Sequence, residues 1–412
     1  MSRPIVLPAL LCAAALLAAC APPAADARDG TAPPAAWSAV DALPSSGAFS
    51  MNDHQVADLR AGPDGSLHAL FLDDGDGDGR TDRLLYASSE GGAWSAPAPV
   101  EEGRISISSP RLVAEGDRVH VFWMEGRDPA DPSLLTGVLH RVRAAGEWSE
   151  AEPVYRAADG QGLAGALAAV ADAAGRVHLV HPVWNGFVHR VLAGGGWQPP
   201  LPAGREGMQP RLVAGPDGGL ALAVLGTFPH PLLPRGSGAH NDPSVRFYRG
   251  EGWTEPTPVH PDPAQHSHAP QLAWDAEGVL HAVWMEGERG EMMPTRLLHA
   301  TSADGTRWSA PEEIAPDATG RIFYSPRLAV DGRGTLHLTF ARFRDGLSDP
   351  RHFHARYDGA RWSLPARILP DEGTRDSELE TAVDPAGRLH ALWKAADGTY
   401  RHSVLQAPPG VR

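Results

Sequence analysis

A tryptophan returns along this chain at a nearly constant interval. Trp37, Trp94, Trp148, Trp197, Trp253, Trp308 and Trp362 lie 57, 54, 49, 56, 55 and 54 residues apart, each with Ser or Pro within the next three positions. A second signature falls between them, an apolar run carrying one histidine. It reads Leu67-His68-Ala69, Val119-His120-Val121, Val177-His178-Leu179, Leu280-His281-Ala282, Leu336-His337-Leu338 and Leu389-His390-Ala391, with Leu220-Ala221-Leu222 as a degenerate copy. Self-similarity at a fixed period constrains architecture before local propensity does.

Each period holds β-type runs separated by turn residues. In the sixth these are 326–330, 335–340, 352–357 and 362–368, the first two joined by Asp331-Gly332-Arg333-Gly334. Four antiparallel strands per unit, repeated about an axis, is the pattern of a β-propeller. A linear stack of repeats requires polar caps at both ends, and none is visible. The chain is therefore read as all-β, a seven-bladed propeller of four-stranded antiparallel blades. The last repeat ends at its third strand, near Tyr400 to Leu405, whereas the Trp37 segment precedes the first complete repeat. The N-terminal strand then closes the last blade and leaves no sheet edge unpaired. The repeated indole is expected between neighbouring blades, where its large apolar surface is removed from water.

Residues 1–19 read differently. Arg3 precedes an apolar run from Ile5 to Ala19, which ends in Leu17-Ala18-Ala19-Cys20. The run is short for a bilayer span and has the layout of a secretory signal. It resembles the lipobox of bacterial lipoproteins, which implies cleavage before Cys20 and a lipid on its thiol; an ordinary signal peptide is the alternative. Ala21 stands where an inner-membrane retention signal would place Asp. Residues 20–36 are rich in Ala and Pro and read as a tether, leaving 37–412 as the propeller. Of the two cysteines, Cys12 leaves with the signal and Cys20 carries the lipid, so packing, with or without metal, must hold the domain. The expected location is the bacterial cell envelope, lipid-anchored, with the domain a monomer. A net charge of −14, with Lys394 the single lysine, argues against nucleic acid as a partner.

Ser302-Ala303-Asp304-Gly305-Thr306-Arg307-Trp308 resembles the Asp-box of BNR propellers in the sialidase superfamily, with weaker copies at Ser88–Trp94 and Tyr357–Trp362. The resemblance covers most of the mature chain and implies fold rather than activity.

Position in a propeller sorts the polar residues. The second-strand histidines recur once per blade, one layer out from the axis, and cannot converge on one metal. They are read as structural, bonding within or between blades. First-strand residues do converge. Alignment of the repeats places Asp58, Arg111, Ala168, Arg211, Gln271, Arg327 and Glu380 on one ring, with Ser109-Pro110-Arg111, Gln209-Pro210-Arg211 and Ser325-Pro326-Arg327 matching one another. Two readings stand: a water-filled channel of compensating charges, or an anion site, since arginine forks bind carboxylate bidentately. The sialidase resemblance implies Arg111, Arg211 and Arg327 as a carboxylate-binding triad, with Tyr324, Glu380 and Asp58 completing the chemistry.

Long connections at 124–135, 226–243, 285–295 and 342–350 share one face and are the expected seat of binding. His54, Trp184, Phe228, His230, His240, His266, His268, Phe323 and Tyr324 gather there, and Glu125 and Glu286 lie in matching Trp-Met-Glu-Gly segments. The segment Asp74-Gly75-Asp76-Gly77-Asp78-Gly79-Arg80-Thr81-Asp82 places carboxylates at alternate positions, with the carbonyl of Arg80 between Asp78 and Asp82. Such a loop can wrap one hard cation, and like charges this dense repel without one. It resembles the calcium hairpins of other propellers. Structural calcium is expected at Asp74, Asp76, Asp78, Arg80 and Asp82.

The leading functional expectation is a lipid-anchored binding propeller for a glycan or another extracellular ligand. The alternatives are a sialidase-like glycoside hydrolase or polysaccharide lyase, and an envelope protein–protein scaffold. Hydrolysis requires two free carboxyls about 5–10 Å apart, so the state of Asp58 and Glu380 decides between them.

Overall fold

The computed structural model describes residues 37–38, 41–43, 55–75, 78, 80–104, 106–127, 131, 134–205, 207–227, 241–262, 264–288, 294–315, 323–345, 348–368, 374–395 and 399–405. They form seven separate antiparallel sheets. The innermost strands are Gln55–Ala61, Ser106–Glu115, Ala168–Ala171, Met208–Ala214, Gln265–Trp274, Phe323–Val330 and Thr374–Val383. Each innermost strand touches those of the two adjoining sheets, the seventh touching the first, so the ring closes around an axial channel. The expected seven-bladed propeller is the fold. The closing device is also as expected: Asp41 pairs with His402, Ala42 with Arg401, and Trp37 bridges to Leu405 on the last blade.

A tight turn joins first to second strand at one end of every blade, for example Asp331 to Thr335, where Gly334 takes a φ of 81°. Those turns define a turn face. The connections from second to third strand define the opposite, loop face. The long loop expected at 342–350 is shorter than read from sequence. The second and third strands of blade 6 run as Leu336–Asp345 and Ser348–Tyr357, with Arg342 opposite Arg351 and Asp345 opposite Ser348. Cross-strand pairing extends the ladder through residues whose polarity reads as loop.

The core is divided among the blade interfaces. Seven apolar clusters lie between neighbouring blades, such as Trp284, Leu298 and Leu280 with Val245 and Ala223 between blades 5 and 4. Recurrent tryptophans sit there as expected. The ring of Trp362 meets His299 of the preceding blade edge-on at 5.3 Å, and Trp253 meets His189 at 5.4 Å, Trp197 His140 at 5.6 Å and Trp94 His402 at 5.4 Å.

The second-strand histidines are structural, but each is half of a pair. Nδ1 of His178, His281, His337 and His390 lies 3.0, 2.9, 3.0 and 3.0 Å from Nε2 of a third-strand histidine, His189, His299, His354 and His402. Their Nε2 atoms face the turn carboxylates Asp172, Asp275, Asp331 and Asp384 at 3.0, 3.1, 3.4 and 3.1 Å. The indole N–H of Trp362 then donates to Nδ1 of His299 at 3.0 Å. In blade 5 the contacts thus run from the Trp362 indole through His299 and His281 to Asp275 across the blade interface, whereas among the described residues the indole N–H groups of Trp253 and Trp94 find no partner beside His189 and His402. Blade 4 replaces the couple with Ala221 and Val245, and the indole N–H of Trp308, packed against that cluster, is left buried without a hydrogen-bond partner among the described residues.

Candidate functional site

Register confirms the ring. Asp58, Arg111, Ala168, Arg211, Gln271, Arg327 and Glu380 pair with Leu70, Phe122, Val180, Ala223, Val283, Thr339 and Leu392, each two residues past the second-strand histidine position. All seven therefore stand at one level of the channel wall.

A backbone irregularity aims four of them. Ser109, Gln209, Ala269 and Ser325 have φ of 50°, 51°, 47° and 50°, and each precedes a proline at a register shift. Positive φ before proline is sterically costly, and the surrounding ladders must hold it. The bulge turns the proline carbonyl out of the ladder, and the next side chain satisfies it. Nη1 of Arg111 donates to the carbonyl of Pro110 at 2.7 Å, Nη1 of Arg327 to Pro326 at 3.1 Å, and Nε2 of Gln271 to Pro270 at 3.0 Å. The bulges also join blades: Leu167 N–H donates to Oγ of Ser109 at 2.9 Å, and Ala269 N–H to Oε1 of Gln209 at 2.8 Å.

Arg211 breaks this pattern. Among the described residues its guanidinium has no hydrogen-bond or ion-pair partner. Its surroundings push its pKa down to about 9, through burial first and then the nearby cations Arg327 and Arg111. Burial also lowers Arg111, against the pull of Asp58 and Glu380.

Both channel carboxylates are already engaged. Oε1 of Glu380 accepts from Nε and Nη2 of Arg327 at 2.8 and 2.5 Å. Asp58 accepts from the N–H groups of Leu59 and Leu112 at 3.0 and 2.9 Å and lies 3.1 Å from Nη2 of Arg60. Each of these two carboxylates is thus held by donors of the channel wall. At this level three guanidiniums, of Arg111, Arg211 and Arg327, face the carboxylates of Asp58 and Glu380, with Arg60 two residues nearer the turn face. The described wall is net positive inside an acidic protein.

One tier nearer the loop face, Met208, His268 and Tyr324 pair with Leu225, Met285 and Ala341 on consecutive blades. Tyr324 is 40% exposed, Met208 49%, and Trp184, at the tip of the Val183–Gly186 hairpin, 59%. Of the large hydrophobics exposed among the described residues, only Leu364 lies elsewhere. His266 is on the same strand as His268. His54, Phe228, His230, His240 and the side chain of Phe323 lie outside the described residues.

Glu125 and Glu286 are buried strand residues, not loop residues. Nη1 of Arg156 donates to Glu125 at 3.1 Å, and Nη1 of Arg296 to Glu286 at 3.0 Å. Asp242, across the blade interface from Glu286, is raised to about 7 by burial and by the charges of Glu286 and Asp262. Sequence reasoning missed it, because the residue falls at the edge of a stretch read as loop.

The acidic segment of blade 1 is a closed excursion. Asp82 N–H donates to the carbonyl of Asp73 at 3.1 Å, Oδ1 of Asp82 accepts from Gly75 N–H at 2.6 Å, and Oδ1 of Asp78 accepts from Arg80 N–H at 2.9 Å. Asp74 is fully buried. Asp76 lies outside the described residues, and among those described no three carboxylate, imidazole or thiol groups converge on one point.

At the turn face the channel opens into a cavity of about 720 Å³. Its wall is the ring three residues further on, Ala61, Ala114, Ala171, Val330 and Val383, with turn carboxylates at the rim. Small side chains here leave the charged ring reachable by solvent from below.

No protein-family model matches the chain, and no curated protein matches it. Solved structures do resemble it. A Dyadobacter fermentans protein of unknown function has a TM-score of 0.54 at 13% identity, covering 92% of this chain and 100% of its own. An ulvan lyase of polysaccharide lyase family 25, bound to a -[GlcA(1-4)Rha3S]- ligand, has a TM-score of 0.55 at 13% identity, covering 85% and 94%. A Penicillium chrysogenum α-L-arabinanase, complexed with arabinobiose, has a TM-score of 0.51 at 13% identity, covering 89% and 96%. At this identity the likeness is one of fold.

Proposed function

We propose that this protein is a lipid-anchored, extracytoplasmic propeller that binds an acidic glycan at the loop-face mouth of its channel, with Arg211 as the anion anchor. The observation that carries the reading is the unpartnered guanidinium of Arg211 in a net-positive channel wall. A half-buried cation among other cations gains from a counter-ion, and a ligand carboxylate or sulfate supplies one in bidentate form. Trp184, Met208 and Tyr324 offer apolar surface above it, suited to the carbon face of a sugar ring. The lyase and the arabinanase that share the fold are, by their own descriptions, glycan-active proteins. Among the described residues the exposed large hydrophobics are Trp184, Met208, Tyr324 and Leu364, a small apolar surface for a protein–protein scaffold.

The test is calorimetric titration with uronic-acid oligosaccharides beside neutral ones of equal length. Arg211→Ala is expected to weaken the acidic ligand by roughly ten- to a hundredfold, the worth of a charged hydrogen-bonded contact, and to leave neutral sugars unaffected. Equal affinity of parent and variant for every acidic oligosaccharide would refute the assignment.

A second reading, polysaccharide lyase, rests on His268 and Tyr324 at matching positions of adjacent blades above Arg211 and Arg327. Elimination beside a uronate carboxylate requires a cation for the carboxylate and groups to take and give a proton, not a carboxyl pair. Ultraviolet absorbance of unsaturated sugar ends in a uronan digest distinguishes it from binding alone.

Calcium belongs to the same proposal, held by Asp74, Asp76, Asp78, Asp82 and the carbonyl of Arg80 as a brace for blade 1. At a concentration a hundredfold above its Kd, a native-state ligand adds about 2.7 kcal/mol, or roughly 3 °C for a domain of this size. Chelation is expected to lower Tm by about that much, and readdition of calcium to restore it. Thermal scans that ignore both treatments would remove the ion from the account.

A further inference from the structure

We propose that the interface between blades 4 and 5 holds a calcium ion of its own, ligated by the carboxylate of Glu286 and the hydroxyl of Ser267 and faced by Asp242 of blade 4. Two copies of one segment differ in how their charge is met. Trp-Met-Glu-Gly occurs as Trp123–Gly126 on blade 2 and as Trp284–Gly287 on blade 5. Both glutamates are 1% exposed, at the loop-face end of a second strand. Around Glu125 the chain supplies cations of its own. Arg104, Arg127 and Arg156 lie 3.4, 3.6 and 3.1 Å from its carboxylate, and Arg104 and Arg141 reach the neighbouring Glu101 at 2.9 and 3.3 Å. Around Glu286 the balance is inverted. Among the described residues Arg296 alone pairs with it, at 3.0 Å, and divides its guanidinium with Glu313 at 3.5 Å. Asp242 and Asp262 add further negative charge, and the His260 ring lies beside Trp284. Where Glu125 has three guanidiniums, Glu286 has a share of one and carboxylates on either side.

Bare oxygens mark where the missing positive charge sits. Oγ of Ser267, a wholly buried residue, and Oε1 of Glu286 have no hydrogen-bond partner among the described residues. The two residues stand opposite each other in the ladder of first and second strands, so their side chains share one face. That face is the one turned to blade 4, since Trp284, two residues before Glu286, packs there with Ala223 and Val245. The Trp284 indole approaches the Glu286 carboxylate, yet its Nε1 completes no hydrogen bond either. A buried carboxylate oxygen and a buried hydroxyl left bare are each costly. One small cation between them satisfies both.

The chemistry of the donors selects the ion. Ser267, Glu286 and Asp242 are 0%, 1% and 5% exposed, too deep for the ammonium group of a larger ligand. All three offer oxygen, which suits a hard cation and not one that seeks nitrogen or sulfur. No third carboxylate converges on the pair, so backbone carbonyls and water complete the shell. Calcium accepts such irregular sets of six to eight oxygens, whereas magnesium demands a near-ideal octahedron and dehydrates reluctantly. The place of the ion gives it a structural task. Ser267 directly precedes His268, and the strand Gln265–Trp274 lies against Met208–Ala214, which carries Arg211. The ion ties these two blades together behind the channel mouth.

The experiment counts calcium per chain by equilibrium dialysis of the mature protein, as the parent and as Glu286→Gln, Ser267→Ala and Asp78→Asn. Glu286→Gln is expected to bind one calcium fewer than the parent. Ser267→Ala is expected to hold that same ion roughly tenfold more weakly, the worth of one contact to a charge. Because Ser267→Ala removes a hydroxyl that nothing else satisfies, its Tm in chelator is expected to match or exceed that of the parent, which separates loss of a ligand from loss of fold. Asp78→Asn, in the acidic loop of blade 1, is expected to leave the interface ion in place. Undiminished calcium in Glu286→Gln, or unchanged affinity in Ser267→Ala, overturns the site. A parent whose one ion is lost in Asp78→Asn overturns it too and leaves the blade 1 calcium standing. A parent whose one ion is lost in Glu286→Gln supports the interface site and removes the blade 1 calcium instead.

Discussion

The protein is expected to unfold sharply as pH falls from 6.5 toward 5, taking up several protons in the transition. Seven histidines, all buried, have pKa values depressed by burial: about 4 for His68, His120, His181 and His402, and about 3 for His189, His299 and His354. In the unfolded chain each titrates near 6.5. A base whose folded pKa lies below its unfolded one contributes stability that is complete above about 6.5. That contribution is lost as pH falls and levels off only below the folded values. Between those limits each histidine costs about 1.4 kcal/mol per pH unit, so seven together approach 10 kcal/mol per unit near pH 5. Half that slope still exhausts a stability of about 5–15 kcal/mol within a few units.

Burial explains why the interior resists protonation: it lowers His178, His337 and His390 against the opposing pull of the carboxylates Asp172, Asp331 and Asp384. The turn carboxylates act in a separate window. Asp172 is held at about 2, against the penalty of its own burial, by hydrogen bonds from His178 and Arg176. A carboxyl with a depressed folded pKa loses its contribution only as pH falls below about 4. The histidine loss therefore comes first. Urea titrations monitored by tryptophan fluorescence at pH 7.5, 6.5 and 5.5 measure the slope, and a stability that is flat across them would contradict the neutral network.

Much of this was legible in the sequence, and the reason is symmetry. Seven tryptophans and the recurring second-strand histidine fixed blade number, register and closure, because a one-residue slip turns a whole strand to the wrong face. The same register placed the channel ring without error. What escaped was whatever depends on side-chain partners across blades. The third-strand histidines were in view, and the constant interval of six residues from Asp172, Asp275, Asp331 and Asp384 to the next histidine was a usable signal. It went unread because the turn carboxylates resemble ordinary Asx turns. The three arginines looked equivalent for a similar reason. Ser-Pro-Arg and Gln-Pro-Arg share a pattern, but only the bulge geometry shows that Arg111 and Arg327 serve the proline carbonyl before them while Arg211 does not. The sialidase-like triad thus separates into two arginines with structural work and one without. The calcium residues remain as the sequence left them, since Asp76 lies outside the described part of the loop.

Those separate roles predict opposite behaviour for two arginines on one ring. Arg327→Gln is expected to cost about 3–5 kcal/mol of folding stability, because it strips Glu380, 7% exposed, of the guanidinium that donates to it twice. For a domain of this size that is about 4–7 °C in Tm. Adding Glu380→Gln removes the stranded charge, and the double variant is expected to recover most of the loss. Arg211→Ala removes a cation that repels Arg327 and Arg111, so its Tm is expected to hold or rise while acidic-glycan affinity falls. Thermal denaturation of the three variants at pH 7.5 reads all of this in one experiment. If Arg327→Gln instead leaves Tm unchanged and weakens anion binding, then Arg211 or Arg111 has moved to neutralise Glu380. The ring would then be a shared pool of charge, and not a structural pair beside a ligand anchor.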